Sequence, residues 1–453
     1  MNLAELLVAV IAAPFLVAFI AICMRDPLRV TLPVFAALIP FGDRFSVGSS
    51  PFASPSSLVG MLLGLGLVVR LALGRRGAPR LSPAVPVWLL FLACAAASTL
   101  WTLDLAATVS GVGVLASLIL VFVLVAISGV DRTVLRRTEN GLLFGGVAVV
   151  CYGLFQLLVL GGFPNDKTGG LPVAASGRFG NDLLGPDIES ISLLLPLVLA
   201  LSRAFGEGSR MRRTGYAAVA VMMVLGVLMT GSRAGTLALG VVVLVLAATG
   251  PRRARRPLLA TFLVAAAIAA AVWVYHPAGI ADRTFTTATS SSGRTDIWKV
   301  GLKACERYCG PGSGWGTFPD VYAETQATVP GARVLVGPQG TYQAHNLWLL
   351  IGVELGVVGL VLFMVGLGIG VAECRELPRA LRGPPSSALA GLCFGVFFLS
   401  SMEFKFFWMV FIMVALNRNV VESERRSAAP VAVPGSVAGG EPPGLAGVPP
   451  SGP

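Results

Sequence analysis

Charge is scarce in this 453-residue chain, where Asp, Glu, Lys and Arg make up 13% of residues and hydrophobic types 55%. An ordinary soluble domain carries about a quarter charged residues, so a water-facing fold is excluded. Short alternating segments are also missing, which excludes the outer-membrane β-barrel. Histidine is limited to His276 and His345. The chain has no DxD pair and no His/Asp/Glu set at metal-ligand spacing, so no metal or other cofactor is expected. A Walker loop is absent, and with it any sign of a nucleotide site. The N-terminus lacks a basic region and a small-residue cleavage site, so its first apolar run reads as a retained span rather than a signal peptide.

What the chain does have is long apolar blocks, each of roughly the 17–25 residues that carry a helix across a bilayer. They fall near 3–23, 29–42, 57–74, 84–103, 107–129, 140–162, 187–203, 215–231, 234–249, 257–276, 345–371, 387–402 and 404–417. The expected fold is all-α, a polytopic transmembrane bundle of about 12–13 spans occupying residues 1–419. From 420 to 453 the chain is rich in Pro, Gly and Ala without periodicity, and reads as a disordered cytoplasmic tail.

The net charge of +11 does not point to nucleic acid, because the basic residues sit in short loops. Arg75, Arg76 and Arg80 form one group, and Arg132, Arg136 and Arg137 the next. Arg203 to Arg213, Arg252 to Arg256, and Arg375 to Arg382 follow. The positive-inside rule makes these loops cytoplasmic and turns 43–56, 163–186, 232–233 and 277–344 outward. The segment 277–344 is the one large extracytoplasmic loop. Within it, Ser291 to Asp296 offers capping residues for a helix that Gly310-Pro311 stops. Trp298, Leu302, Cys305 and Cys309 share one face of that run, as expected for a helix on the membrane surface. Cys305 and Cys309 have a spacing that permits either a disulfide or two free thiols.

Four outward residues carry chemistry. Arg233, in Met229-Thr230-Gly231-Ser232-Arg233-Ala234-Gly235, lies at a hairpin too tight to leave the bilayer, where an arginine marks a pairing or a ligand. Arg178, in the loop Gly177 to Asp182, and Arg294, at the start of the surface helix, are further outward cations. Together the three could grip one anion through paired guanidinium contacts. His345, followed by Asn346, stands at the start of a span where an imidazole can take a proton near neutral pH. For each there is a blander alternative: headgroup contact for the arginines, capping or packing for the histidine. His276, before Pro277, reads as an interfacial residue.

In this order, the residues resemble the O-antigen ligase and O-antigen polymerase superfamily of bacterial membrane glycosyltransferases. The match begins at Ala97-Ser98-Thr99-Leu100-Trp101-Thr102-Leu103-Asp104 and the Arg178 loop. It strengthens at Ser232 to Gly235, and is clearest from Gly293-Arg294-Thr295-Asp296-Ile297-Trp298 through Gly312-Ser313-Gly314-Trp315-Gly316-Thr317-Phe318 to His345-Asn346. Glu354-Leu355-Gly356-Val357-Val358-Gly359 completes it. The loop after Phe179 departs from the usual pattern at Asn181-Asp182.

The resemblance implies metal-independent glycan transfer from a polyprenyl (undecaprenyl) diphosphate carrier to an acceptor hydroxyl. The acceptor would be a glycan, lipid or protein, reached at the outer face of the plasma membrane. Arg178, Arg233 and Arg294 would bind the diphosphate, His345 would act as the catalytic base, and Asn346, Trp298 and Glu354 would support the site. A repeat-unit polymerase of the same superfamily is the alternative reading. A lipid-linked glycan flippase would need charge through the midplane, whereas the notable charges here cluster at one face. A transferase using polyprenyl-monophosphate sugars resembles its kin in an acidic first outward loop, where this chain offers Asp43 beside Arg44.

Overall fold

The structure, a computed structural model, describes residues 3–42, 45, 52–74, 81–160, 179–180, 185–206, 208–250, 252–275, 294–332, 343–400 and 402–428. Among the described residues it is helical, with no strand. The helices are α1 (Leu3–Arg25), α2 (Leu32–Leu38), α3 (Pro55–Ala72), α4 (Ala84–Ala97), α5 (Leu105–Ala126), α6 (Arg132–Leu158), α7 (Gly185–Ser192) and α8 (Leu194–Ala204). They continue as α9 (Arg210–Met229), α10 (Arg233–Thr249), α11 (Arg252–Tyr275), α12 (Arg294–Tyr308), α13 (Phe318–Thr325), α14 (Leu347–Glu376), α15 (Arg379–Gly395) and α16 (Lys405–Ala428). Seven described helical segments are long and apolar enough to cross a membrane alone, with α7 and α8 counting as one. Every apolar block of the sequence lies on a helix, but several of those helices are shorter than a full span.

Small polar residues start the helices, as free N–H groups in a bilayer require. The side chains of Asp104, Asp131 and Asn346 accept from the N–H groups of Ala107, Val134 and Leu349 at 3.0, 2.8 and 3.0 Å. Close packing then sets the crossings. On α6, a Cβ at Gly141 or Gly145 would lie 2.2 or 2.0 Å from the carbonyl oxygens of Pro33 and Ala37. This glycine pair, four residues apart, lets the α2 backbone lie directly on α6. Elsewhere the core is aromatic. Trp88 of α4 is fully buried and meets Phe363, Phe407, Trp408 and Phe411 edge-on, with ring centroids 5.1 to 6.2 Å apart. These edge-to-face contacts tie α4, α14 and α16 together.

The bundle has two chemically distinct ends. At one, Arg29 pairs with Asp131 at 2.8 Å, Arg70 with Asp26 at 3.8 Å, Arg203 with Glu139 at 2.6 Å and Arg418 with Glu373 at 3.1 Å. Arg132 also pairs there with Glu424. Arg25 and Arg70 thus share an end, so α1 begins at the opposite one.

Two boundaries differ from the sequence reading. The last helix runs to Ala428, eight residues past the expected start of the tail at 420. Its extra turns are held by the Arg132 and Glu424 pair and by Arg426 on Glu422, 3.3 Å apart and one turn away. The remainder of the tail lies outside the described residues, as do 277–293 and 333–342 of the large loop. On α12, the buried residues are Asp296, Ile297, Val300, Gly301, Ala304 and Tyr308, whereas Leu302 is 64% exposed. The helix therefore packs on a stripe rotated from the Trp298/Leu302 face. It buries that stripe against Phe318, Val321 and Tyr322 of α13 and Val353 of α14, with Trp298, Cys305 and Cys309 of the expected face packed at its margin.

Candidate functional site

The end opposite the paired arginines is built around α7. Met229 ends α9, and Gly231, with φ of +58°, turns the chain back. Ser232 then caps α10 by accepting from the Gly235 N–H at 3.0 Å. Arg233 is therefore the first residue of α10, and its side chain is exposed. A Cβ at Gly235 would sit 2.2 Å from Ser190 Oγ, so α7 lies directly on the hairpin that carries Arg233. Nearby, the Phe179 N–H donates to the Met229 carbonyl at 3.0 Å. Arg178 lies outside the described residues, yet its neighbour Phe179 is anchored to this hairpin.

Asp187, in the first turn of the same α7, forms an ion pair with Arg294. Arg294 opens α12, whose Trp298 Nε1 donates to the Ala344 carbonyl at 3.0 Å. That bond fixes the residue just before His345. His345 itself has φ of +47°, an uncommon and costly conformation for a residue with a Cβ. It is held from the far side by Asn346, which caps α14, and by the Leu347 N–H, which donates to the Val396 carbonyl at 2.8 Å. Burial pushes the His345 imidazole below its ordinary pKa of 6.5. The Arg294 charge adds to that shift, while Asp187 opposes it. The neutral imidazole, the form that can accept a proton, is thus favoured.

The third component is the glycine-rich turn. α14 breaks at Gly356, where φ is +65°, and its Val353 and Glu354 carbonyls are taken by the Ser313 and Gly314 N–H groups at 3.0 and 2.9 Å. The Glu354 carboxylate accepts from the Phe318 N–H at 3.0 Å. On the other side of the turn, the Leu103 N–H donates to the Ser313 carbonyl at 3.0 Å, and the Trp315 N–H donates to Ser98 Oγ at 3.1 Å. Three separate sequence motifs, at 97–104, 312–318 and 354–359, therefore interlock. Glu354 braces the turn by this contact.

Arg294, His345, Trp298 and Asn346 come together, and α7 joins them to the Arg233 hairpin. Asp187 was not singled out in the sequence. The available signal was an acidic residue opening an apolar block, where charge is unfavourable without a partner. Cys305 of α12 and Cys309, the residue just past its end, are joined as a disulfide. Among the described residues, no three His, Cys, Asp or Glu side chains gather as metal ligands would, and the positive charge at the site is arginine. His276, Asp43 and Arg44 lie outside the described residues.

A search among curated proteins finds no match. A family model does match: residues 218–364 correspond to the family described as O-antigen ligase. That stretch contains Arg233, Arg294, Trp298, His345, Asn346 and Glu354. The match spans about a third of the chain, and over that stretch the protein is similar to the O-antigen ligase family.

Proposed function

We propose that the protein transfers a glycan from a polyprenyl-diphosphate carrier to an acceptor hydroxyl at the outer face of the cytoplasmic membrane, as an O-antigen ligase does. The observation that carries this reading is the grouping of Arg294 with a half-buried, neutral-leaning His345, beside a hairpin that presents Arg233. All three residues fall inside the matched family segment.

In the proposed reaction the acceptor oxygen forms a bond to the anomeric carbon as the bond from that carbon to the diphosphate oxygen breaks. His345 takes the acceptor proton. Arg233 and Arg294, with Arg178 as a third ligand, stabilise the charge that develops on the leaving diphosphate. A single displacement inverts the anomeric centre. Outward placement of the site is supported by the arginine-rich opposite end, which the positive-inside rule puts in the cytoplasm. The Cys305–Cys309 disulfide supports it too, since such bonds persist in oxidising compartments.

The test is transfer by the purified protein from a polyprenyl-diphosphate-linked glycan. Arg233→Ala and His345→Ala are expected to abolish transfer while the protein still inserts and purifies normally. Normal transfer by both variants would overturn the site assignment. A deletion strain then separates ligase from polymerase: carrier-linked polymer accumulates if attachment is lost, whereas glycan chains shorten if polymerisation is lost.

A further inference from the structure

One carboxylate at this site takes no part in the proposed chemistry. Asp187 is ion-paired with Arg294, and the two side chains are 23% and 24% exposed. Its helix is fixed in place. Ser190 Oγ donates to the Asp187 carbonyl at 2.6 Å, and Ser190 is wedged against Gly235 of the Arg233 hairpin. Asp187 therefore stands between the two arginine-bearing elements rather than on a loop that could swing away.

Carboxylate and diphosphate oxygens are alternative partners for one guanidinium fork. They carry like charge, so a diphosphate on Arg294 and a carboxylate on Arg294 oppose each other. Without a donor, however, an arginine at the membrane edge with no counter-anion is costly. The two requirements are met if one anion replaces the other.

We infer that Asp187 is the resident counter-anion of Arg294, a positioning residue that the donor's diphosphate displaces and that recaptures the guanidinium as the product leaves. This rests on the reading of the site as a diphosphate site. The recapture has a chemical reason. Cleavage of the sugar–phosphate bond leaves a diphosphate with one more ionisable oxygen than the donor had, so arginines alone would hold the product more tightly than the substrate. A competing carboxylate weakens that grip and lets turnover continue.

The experiment uses the full chain in detergent, with farnesyl diphosphate as the binding probe and glycan transfer as the kinetic readout. Asp187→Asn removes the charge and keeps the shape. It is expected to bind farnesyl diphosphate about fivefold more tightly, the worth of an ion pair of about 1 kcal/mol. Donor KM should fall with kcat, and product inhibition should strengthen. Asp187→Glu is expected to restore wild-type behaviour. In an Arg294→Gln background, Asp187→Asn should no longer change affinity. Unchanged or weaker probe binding by a monodisperse Asp187→Asn protein, with the wild type binding normally, overturns the counter-anion role alone. Failure of the wild type to bind or transfer overturns the diphosphate reading as well.

Discussion

His345 shows how surroundings tune a single side chain. Burial and the Arg294 charge lower its pKa, and Asp187 partly offsets them. The sign is definite: the reactive base is the neutral form, so transfer should persist to lower pH than an ordinary histidine allows. It should then fall as pH drops through the depressed value. NMR titration of the labelled imidazole is expected to give a midpoint below 6.5. Arg294→Gln should move that midpoint up, and Asp187→Asn should move it further down. Replacing His345 by Ala should cost transfer roughly 10²-fold or more, the usual contribution of a positioned base, read as loss of product in the purified assay. His345 and Arg294 could be picked out of the chain as candidates, because polar groups next to apolar blocks stand out. Their partner could not. Asp187 and Arg294 are 107 residues apart, and no local pattern connects them.

At the level of elements, the α14 break and the α2–α6 crossing are where sequence and structure depend most on single glycines. A Cβ at Gly356 would lie 2.2 Å from the Gly310 carbonyl oxygen and would have to adopt φ of +65°. Backbone strain of this kind alone costs about 1–3 kcal/mol. Gly356→Ala should therefore lower the melting temperature in detergent and detach the 312–318 turn, seen as faster proteolysis there. Ser98→Ala removes one acceptor from the Trp315 N–H and is expected to cost about 1 kcal/mol by the same melt. Helix positions were legible because long apolar blocks and capping residues report on helices directly. The α12 packing face was not, since its polar and apolar residues offer two plausible stripes. Contacts with α13 and α14 decide between them.

For the whole molecule, the paired arginines gather at one end and the Arg233, Arg294 and His345 cluster at the other. Because Arg25 lies with Arg70 and Asp131 at the arginine-rich end, the start of α1 should be extracytoplasmic. Reporter fusions give the check. A phosphatase fused ahead of α1 should be active, and one fused after Ala428 inactive, with the reverse for a cytoplasmic reporter. The opposite pattern would place the site in the cytoplasm and sink the proposed donor route. The helical, membrane-spanning character follows from hydropathy, whereas seven described helices rather than 12–13 are long and apolar enough to cross alone; the docking of the glycine-rich turn into a broken helix has no signal in the sequence.

That docking also fixes which wall of the site can open. The Val353 and Glu354 carbonyls have given up their own helical partners and depend on Ser313 and Gly314. Lifting the turn would strip both at once and leave buried carbonyls without donors, at about 1–3 kcal/mol for each group. The turn is therefore a permanent latch rather than a hatch.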